Sequence, residues 1–194
     1  MKNTLISYSL MAHTSRKQYF DYLQNMLPHA ELFVDDGSLK IYGNCIRCWE
    51  HYNPMAQYHC VIQDDVIFTD NFHDKVSNFL KEHGDKSNIF SLYLDKRPLN
   101  VSKIEKSKRN NQGYIQMPHI NHEIALIFKT SIINDMLAYA KSHPEHSDKF
   151  LRNWAKLRGY HVIYSLPCLI EHRNGDSLHN DNNVNSKFYK AVWF

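Results

Sequence analysis

The sequence predicts a single α/β domain over residues 1–194, with a mostly parallel, Rossmann-like central sheet flanked by helices. Two observations favour this fold class. Short apolar runs typical of buried strands alternate with segments whose apolar residues recur at helical spacing, which is the pattern of a parallel α/β sheet. The chain has the length of one domain, and 43% of its residues are hydrophobic, which is enough for an ordinary core.

The first elements follow the strand–helix–strand order of this class. Residues 4–11 form an apolar run, residues 16–27 have helical spacing and end at Pro28, and residues 31–34 form a second short strand. We expect the polar, basic residues 95–111 to form a loop. Further strands are expected at residues 59–62, 88–94, 113–117, 124–128 and 161–165, and further helices at residues 44–58, 71–83, 130–141 and 148–159.

Composition argues against several classes of function. The chain has only six glycines and contains neither G-x-G-x-x-G nor G-x-x-x-x-G-K-[ST], so dinucleotide and P-loop sites are not expected. No apolar run approaches the roughly 18 residues that span a membrane. We therefore expect no membrane partner and a cytoplasmic location. The net charge of +3 permits nucleic-acid contact without requiring it.

The cysteines predict no metal site. Cys45 and Cys48 form a C-x-x-C pair, but a structural zinc site would need a second, similarly spaced pair, which the sequence lacks. We expect both thiols on the buried face of a helix, in a reducing compartment.

The strongest candidate for chemistry is Gln63-Asp64-Asp65, directly after an apolar strand. Two adjacent carboxylates at such a place are costly unless cations or donors compensate them. Ligands of open α/β sheets bind at the carboxyl ends of the strands, and Mg²⁺ or Mn²⁺ favours one or two carboxylates plus diphosphate oxygens. The motif therefore predicts a hard metal ion that holds a nucleotide diphosphate. The alternative is a turn or a helix cap.

Two later segments supply further candidates. His172 follows another apolar strand and could complete the metal shell, while Arg173 or Ser177 could contact phosphate oxygens. The alternative for His172 is a surface histidine. Asp148 precedes an amphipathic helix, where it is either a general base or an acid that caps the helix.

A basic run in the middle of the chain has two interpretations. Its cations would contact phosphates, or they would form part of a solvated loop. The residues are Lys103, Lys106, Lys108 and Arg109.

The order of these segments resembles a known family. The sequence is similar to small GT-A-fold glycosyltransferases, especially short ones carried by bacteriophages, and to the family of lipopolysaccharide and procollagen galactosyltransferases. The resemblance covers most of the chain and implies a single GT-A-like domain. The segments that carry it are Thr14-Ser15-Arg16, Asp35-Asp36, VIQDDVIFTDNF, Asp148 before a helix, and LPCLIEHRNGDSL.

The resemblance also implies roles for individual residues. Asp65 and His172 would bind the metal ion, and Asp148 would be the catalytic base. Gln63 stands where the family usually has an acid, which leaves one carboxylate fewer. The residues expected to bind the nucleotide sugar are Ser15, Arg16, Asp36, Asp64, Arg173 and Ser177.

The implied reaction transfers a sugar from a nucleotide-diphosphate donor, a UDP-sugar above all, to a hydroxyl group, with Mn²⁺ or Mg²⁺ as cofactor. Phage-type members suggest a hydroxymethylated pyrimidine in DNA as the acceptor. A saccharide or lipopolysaccharide acceptor is the alternative within this class. Outside it, the chain could be a non-enzymatic DNA-binding protein on a degenerate transferase fold, or a nuclease, although a second carboxylate cluster for a nuclease is not found.

Overall fold

A computed structural model describes residues 5–144, 147–173 and 191–192. The strands are β1 (Ile6–His13), β2 (Glu31–Asp35), β3 (Tyr58–Gln63), β4 (Val66–Phe68), β5 (Ile89–Ser91), β6 (Tyr114–Met117), β7 (Ala125–Lys129), β8 (Val162–Ser165) and β9 (Ile170–His172). The α-helices are α1 (Phe20–Met26), α2 (Lys40–Glu50), α3 (Phe72–His83), α4 (Pro98–Arg109), α5 (Ile133–Ser142) and α6 (Ser147–Leu157), and 3-10 helices cover Thr14–Tyr19 and Thr130–Ile132.

Seven of the strands form one central sheet in the order β2-β1-β3-β7-β5-β8-β6. Strands β1, β2, β3, β5 and β8 run in one direction, whereas β7 and β6 run in the opposite direction. This arrangement confirms the predicted α/β fold with a mostly parallel central sheet flanked by helices. The remaining strands, β4 and β9, form a separate antiparallel pair at one end of the domain.

The sheet has a topological switch point at β1. After β1 the chain forms β2 on one side of it and later returns to form β3 on its other side, and both neighbours are parallel to β1. The connections that leave β1 and β3 therefore diverge, and a crevice opens at the carboxyl ends of these two strands. Asp64 and Asp65 follow β3 directly, so the fold places the acidic pair at this crevice.

Helices α2, α5 and α6 pack together beside the sheet. The Asn44 side chain of α2 donates hydrogen bonds to the carbonyl oxygens of Ala12 and Phe33, which attaches the helix to β1 and β2. In α6, Trp154 is fully buried, and its indole Nε1 donates to Asp135 Oδ2 of α5 at 2.8 Å. These contacts fix where the first residues of α6 lie relative to the strand ends.

The predicted loop over residues 95–111 is wrong, because most of this stretch forms α4. The helix begins with Pro98, which suits the first turn because its missing N–H would have no partner there. It turns Asn100, Ile104 and Ser107 inward, while its other described side chains are exposed. Of these three buried positions only Ile104 is apolar, which is too weak a pattern to predict a helix from sequence.

Other helix boundaries also differ from the predictions. Helix α2 covers Lys40–Glu50 and not residues 44–58, and Pro54 lies in the irregular segment that follows it. The segment predicted as one helix after β1 is divided into a 3-10 helix and α1, with a non-helical backbone at Arg16. This break turns Arg16 toward the end of β3.

All four cysteines are buried, and burial raises the pKa of the Cys48 and Cys60 thiols. Cys45 and Cys48 thus lie on the buried face of α2, as expected. Across the part of the chain that the structure describes, no helix combines the length and apolar character needed to cross a membrane.

Candidate active site

The centre of the candidate site is an ion-pair cluster between Arg16 and the acidic pair. The guanidinium Nη1 of Arg16 lies 2.7 Å from Asp64 Oδ1 and 2.6 Å from Asp65 Oδ2. Both carboxylates are buried. Neighbouring strands make this contact possible, because β1 ends beside β3 and the turn after β1 crosses over the residues that follow β3. The structure thereby brings together three residues that the sequence singled out.

The two carboxylates differ in their proton affinity. Burial raises the pKa of Asp64, and this effect outweighs the hydrogen bonds from Arg16 and from the His13 backbone N–H, which is 2.8 Å from Oδ2. Burial also acts on Asp65, but the hydrogen bond and charge of His172, together with the charge of Arg16, hold its pKa below the usual value. Asp65 is therefore the carboxylate that stays ionised most firmly.

His172 reaches Asp65 through the small β4–β9 pair. Val66 and His172 are partners in this antiparallel ladder, which places the imidazole Nε2 3.1 Å from Asp65 Oδ2. The sequence predicted that His172 and Asp65 act together, although the two residues lie far apart in the chain. The long-range pairing of two three-residue strands creates this proximity.

A divalent cation fits this cluster only with help from a substrate. Asp65 Oδ1 is buried and has no hydrogen-bond partner among the described residues, so it is available as a ligand. The same residues contain no group of three or more His, Cys, Asp or Glu side chains that could hold a metal ion. Asp65 and His172 would therefore supply few of the ligands, and phosphate oxygens and waters would have to supply the others.

Both the backbone and the side chain of Arg173 make contacts near the acidic pair. Its backbone N–H donates to the Asp65 carbonyl oxygen at 2.7 Å, and its Nε donates to the Val66 carbonyl oxygen at 3.1 Å. The guanidinium lies over the rings of Tyr19 and Tyr22, at 4.6 and 4.8 Å from their centroids. This packing connects the segment after β9 to α1 and the preceding turn, next to the acidic pair.

Ser15, in the 3-10 helix after β1, and Asp36, directly after β2, lie at the same edge of the sheet. Ser15 Oγ is 2.8 Å from His13 Nδ1, and Asp36 Oδ1 accepts a hydrogen bond from the Ser38 backbone N–H at 3.0 Å. Hydrogen bonds from Ser38 lower the pKa of the exposed Asp36. Because they follow β1 and β2, both residues border the crevice, and the contacts that the structure shows for their side chains do not include the acidic pair.

Asp148 is the second residue of α6, but its side chain lies outside the described part of the structure, as does the whole of Ser177. The first residue of α6, Ser147, donates to Glu123 Oε1 at 2.6 Å. Gln63 Nε2 donates to the same oxygen at 3.2 Å. The beginning of α6 is thus linked through one carboxylate to the residue that precedes Asp64.

Glu123 is a buried residue of this region that the sequence did not identify. The segment His122-Glu123 begins like the zinc motif H-E-x-x-H, but Leu126 stands where the second histidine is needed. Gln63 is the sequence feature that could have indicated Glu123. An amide at a position where an acid is expected suggests that a neighbouring group accepts a hydrogen bond from its N–H. Nothing in the local sequence says that this partner lies 60 residues away.

Comparisons with known proteins give fold-level similarity only. No protein-family model matches the sequence, and no curated protein matches it either. The chain is similar in structure to a protein described as a glucose-1-phosphate thymidylyltransferase from Bacillus anthracis, solved with a sucrose, at a TM-score of 0.47 and 10% identity over 82% of this chain and 86% of that chain.

Two further solved structures are less similar. HddC from Yersinia pseudotuberculosis has a TM-score of 0.34 and 14% identity, and covers 66% of this chain and 59% of its own. Mouse xyloside xylosyltransferase 1, in its apo form, has a TM-score of 0.34 and 9% identity, with coverages of 78% and 68%. All three TM-scores lie below 0.5, a level at which shared function does not follow from similarity.

Proposed function

We propose that this protein is a glycosyltransferase that moves a sugar from a nucleotide-diphosphate sugar, with UDP as the expected nucleotide, to a hydroxyl acceptor. The observation that supports this most is the Arg16 guanidinium between Asp64 and Asp65, at the crevice between β1 and β3. Ligands of open α/β sheets bind in such a crevice. A guanidinium matches phosphate oxygens, and carboxylates suit a cation that bridges a diphosphate.

Mn²⁺ or Mg²⁺ is part of this proposal, with Asp65 and His172 as its protein ligands. Two observations support the assignment: Asp65 Oδ1 has no hydrogen-bond partner among the described residues, and the imidazole of His172 lies beside the Asp65 carboxylate. The cation would neutralise charge on the leaving diphosphate. Because the described part of the chain supplies few ligands, we expect Mn²⁺ alone to bind weakly and to bind much more tightly together with a nucleoside diphosphate.

The remaining residues take roles in binding and proton transfer. Asp148 would accept the proton of the acceptor hydroxyl while that oxygen bonds to the anomeric carbon and the bond from this carbon to the diphosphate oxygen breaks. Direct displacement of this kind inverts the anomeric centre. Ser15, Arg16, Asp36, Asp64, Arg173 and Ser177 would hold the nucleotide and its phosphates.

Binding experiments test the proposal without knowledge of the acceptor. We expect UDP with Mn²⁺ to raise the melting temperature by several degrees, and neither component alone to do so as strongly. Asp65→Asn should abolish the increase, whereas Asp70→Asn, at an exposed acid after β4, should retain it. If no nucleoside diphosphate changes the melting temperature, with or without Mn²⁺, the enzyme proposal fails and a DNA-binding protein on a degenerate fold becomes the better explanation.

For the acceptor we propose a hydroxymethylated pyrimidine in DNA. Helix α4 supports this, because Glu105 is its only acid and all four of its cations are exposed. These cations are Lys103, Lys106, Lys108 and Arg109. Such a face attracts phosphates, and an enzyme that acts on a base would flip it out of the duplex. Transfer of a radiolabelled sugar to hydroxymethylated DNA, and not to unmodified DNA, is the expected result. Transfer of the label to lipopolysaccharide instead would show that the acceptor is a saccharide.

A further inference from the structure

A second polar cluster lies at the same edge of the sheet. Asp95 is buried, and its Oδ2 is 2.6 Å from Arg97 Nε and 2.8 Å from His122 Nε2. Its Oδ1 accepts a hydrogen bond from Asn100 Nδ2 at 2.9 Å. These contacts hold the pKa of Asp95 below its usual value against the effect of burial. The cluster is thus an ionised carboxylate with donors on both oxygens.

The outward-facing members of this cluster are its cation and its imidazole. The side chains of Arg97 and His122 are 38% and 27% exposed, whereas that of Asp95 is 5% exposed. Asp95 thus accepts from Arg97, Asn100 and His122, which is within the roughly four acceptor positions of an ionised carboxylate. His122 Nε2 also lies 2.8 Å from Arg97 Nη2, so the partly exposed guanidinium and imidazole form one polar surface over the buried carboxylate.

The topology places this cluster beside the candidate phosphate-binding residues. Asp95 follows β5, which runs in the same direction as β3, and His122 precedes β7, which runs in the opposite direction. Both residues therefore lie at the edge of the sheet where β3 ends. The buried ring of Tyr93 lies 5.5 Å from the His122 ring and 6.5 Å from the His172 ring. A single tyrosine separates the two polar clusters.

We propose that Arg97, His122 and Asp95 form a binding subsite for the hydroxyl groups of a sugar ring. The inference rests on the proposed function, because a diphosphate at Asp65 and His172 would carry its sugar into the adjacent space. Sugar hydroxyls both donate and accept hydrogen bonds, and a guanidinium with an imidazole offers both kinds of partner. The buried Asp95 holds these two side chains in place. The ring belongs to the donor or to a saccharide acceptor.

Paired ligands with and without the sugar test this subsite. Calorimetric titration would compare UDP with UDP-glucose, UDP-galactose and UDP-N-acetylglucosamine, in the presence of Mn²⁺, on the wild type and on Arg97→Gln and His122→Ala. We expect both variants to lose about tenfold in affinity for the preferred UDP-sugar and to bind UDP as the wild type does. Lys96→Gln and His119→Ala, at exposed neighbouring positions, should change neither affinity.

A second arm distinguishes donor from acceptor. Saturation-transfer NMR with free mono- and disaccharides, on protein saturated with UDP, should show saccharide contacts that the two variants lose if the subsite holds the acceptor. Unchanged UDP-sugar affinity and unchanged saccharide contacts in both variants would overturn the subsite. Failure of the wild type to bind UDP at all would instead overturn the proposed function. Melting temperatures of the variants within a few degrees of the wild type would show that the fold is retained.

Discussion

The side-chain amide of Gln63 donates a hydrogen bond to Glu123, with Nε2 3.2 Å from Oε1. This contact explains why an amide stands immediately before the two aspartates. Glu123 is buried and also accepts a hydrogen bond from Ser147 at the start of α6. A carboxylate at position 63 would face that of Glu123 across a hydrogen-bond distance, and their charges would repel each other.

Exchange of the two side chains tests this pair. We expect Gln63→Glu to lower the free energy of unfolding by about 1–3 kcal/mol, because a half-buried carboxylate then faces the buried carboxylate of Glu123. In the double variant Gln63→Glu/Glu123→Gln, the amide and the carboxylate have exchanged places, and a favourable coupling of about 1 kcal/mol should reappear. Urea unfolding measures both quantities. Strictly additive effects of the two substitutions would contradict the pairing.

Arg16 is the cation that compensates two buried carboxylates, so its removal should be costly. We expect Arg16→Met to lower the free energy of unfolding by about 3 kcal/mol, because Asp64 and Asp65 then remain buried without it. Arg16→Lys should recover only part of this loss, since an ammonium group cannot contact two carboxylates as a planar guanidinium does. Chemical denaturation measures the effect.

Lys17→Met is the matched control for Arg16, since it removes a cation from an exposed neighbouring position of the same turn. It should change the stability by less than about 0.5 kcal/mol. Equal stabilities of the Arg16→Met and Lys17→Met variants would show that the ion pairs with Asp64 and Asp65 do not stabilise the fold.

His59 should make the stability depend on pH. It is fully buried, its Nε2 donates to the Cys48 carbonyl oxygen at 3.0 Å, and its Nδ1 lies 2.8 Å from Ser7 Oγ. Burial lowers the pKa of His59 to about 4 from the ordinary 6.5. The unfolded chain therefore binds the proton more tightly, and the stabilisation that is complete above pH 6.5 is lost as the pH falls toward 4.

The expected loss is about 3 kcal/mol between pH 7 and pH 4. Because other histidines and acids titrate in the same range, the difference between the wild type and His59→Gln isolates this residue. We expect that difference in the free energy of unfolding to shrink as the pH falls, which urea titrations at several pH values would detect. A difference independent of pH would contradict the lowered pKa.

The basic face of α4 should govern the salt dependence of any DNA binding. Each phosphate contact contributes about 0.9 to the slope of log affinity against log salt concentration. We expect Lys103→Gln/Lys106→Gln to reduce that slope by up to about 2. The control is Lys75→Gln/Lys81→Gln, which removes two exposed cations from α3. Fluorescence anisotropy at several salt concentrations measures the slopes, and equal reductions in both double variants would show that α4 is not the DNA-binding face.

The amino-acid sequence by itself determined the fold class and the place of the acidic pair. Apolar runs of strand length followed by turn residues identify strand ends, and Asp64 and Asp65 follow such a run directly. These are local patterns, so no knowledge of the strand order is needed. The same reasoning selected His172, which follows another apolar strand, and the structure places it 3.1 Å from Asp65.

Only the tertiary structure decided which side chains meet. The contact of Arg16 with both aspartates depends on β1 and β3 being neighbours, and the bond from Gln63 to Glu123 depends on the pairing of β3 with β7. Strand order and register arise from burial summed over the whole sheet, so a local pattern does not contain them. The formation of helix α4 also depends on tertiary contacts. Ile104 packs against the core, and this packing stabilises a helix where the polar sequence indicates a loop.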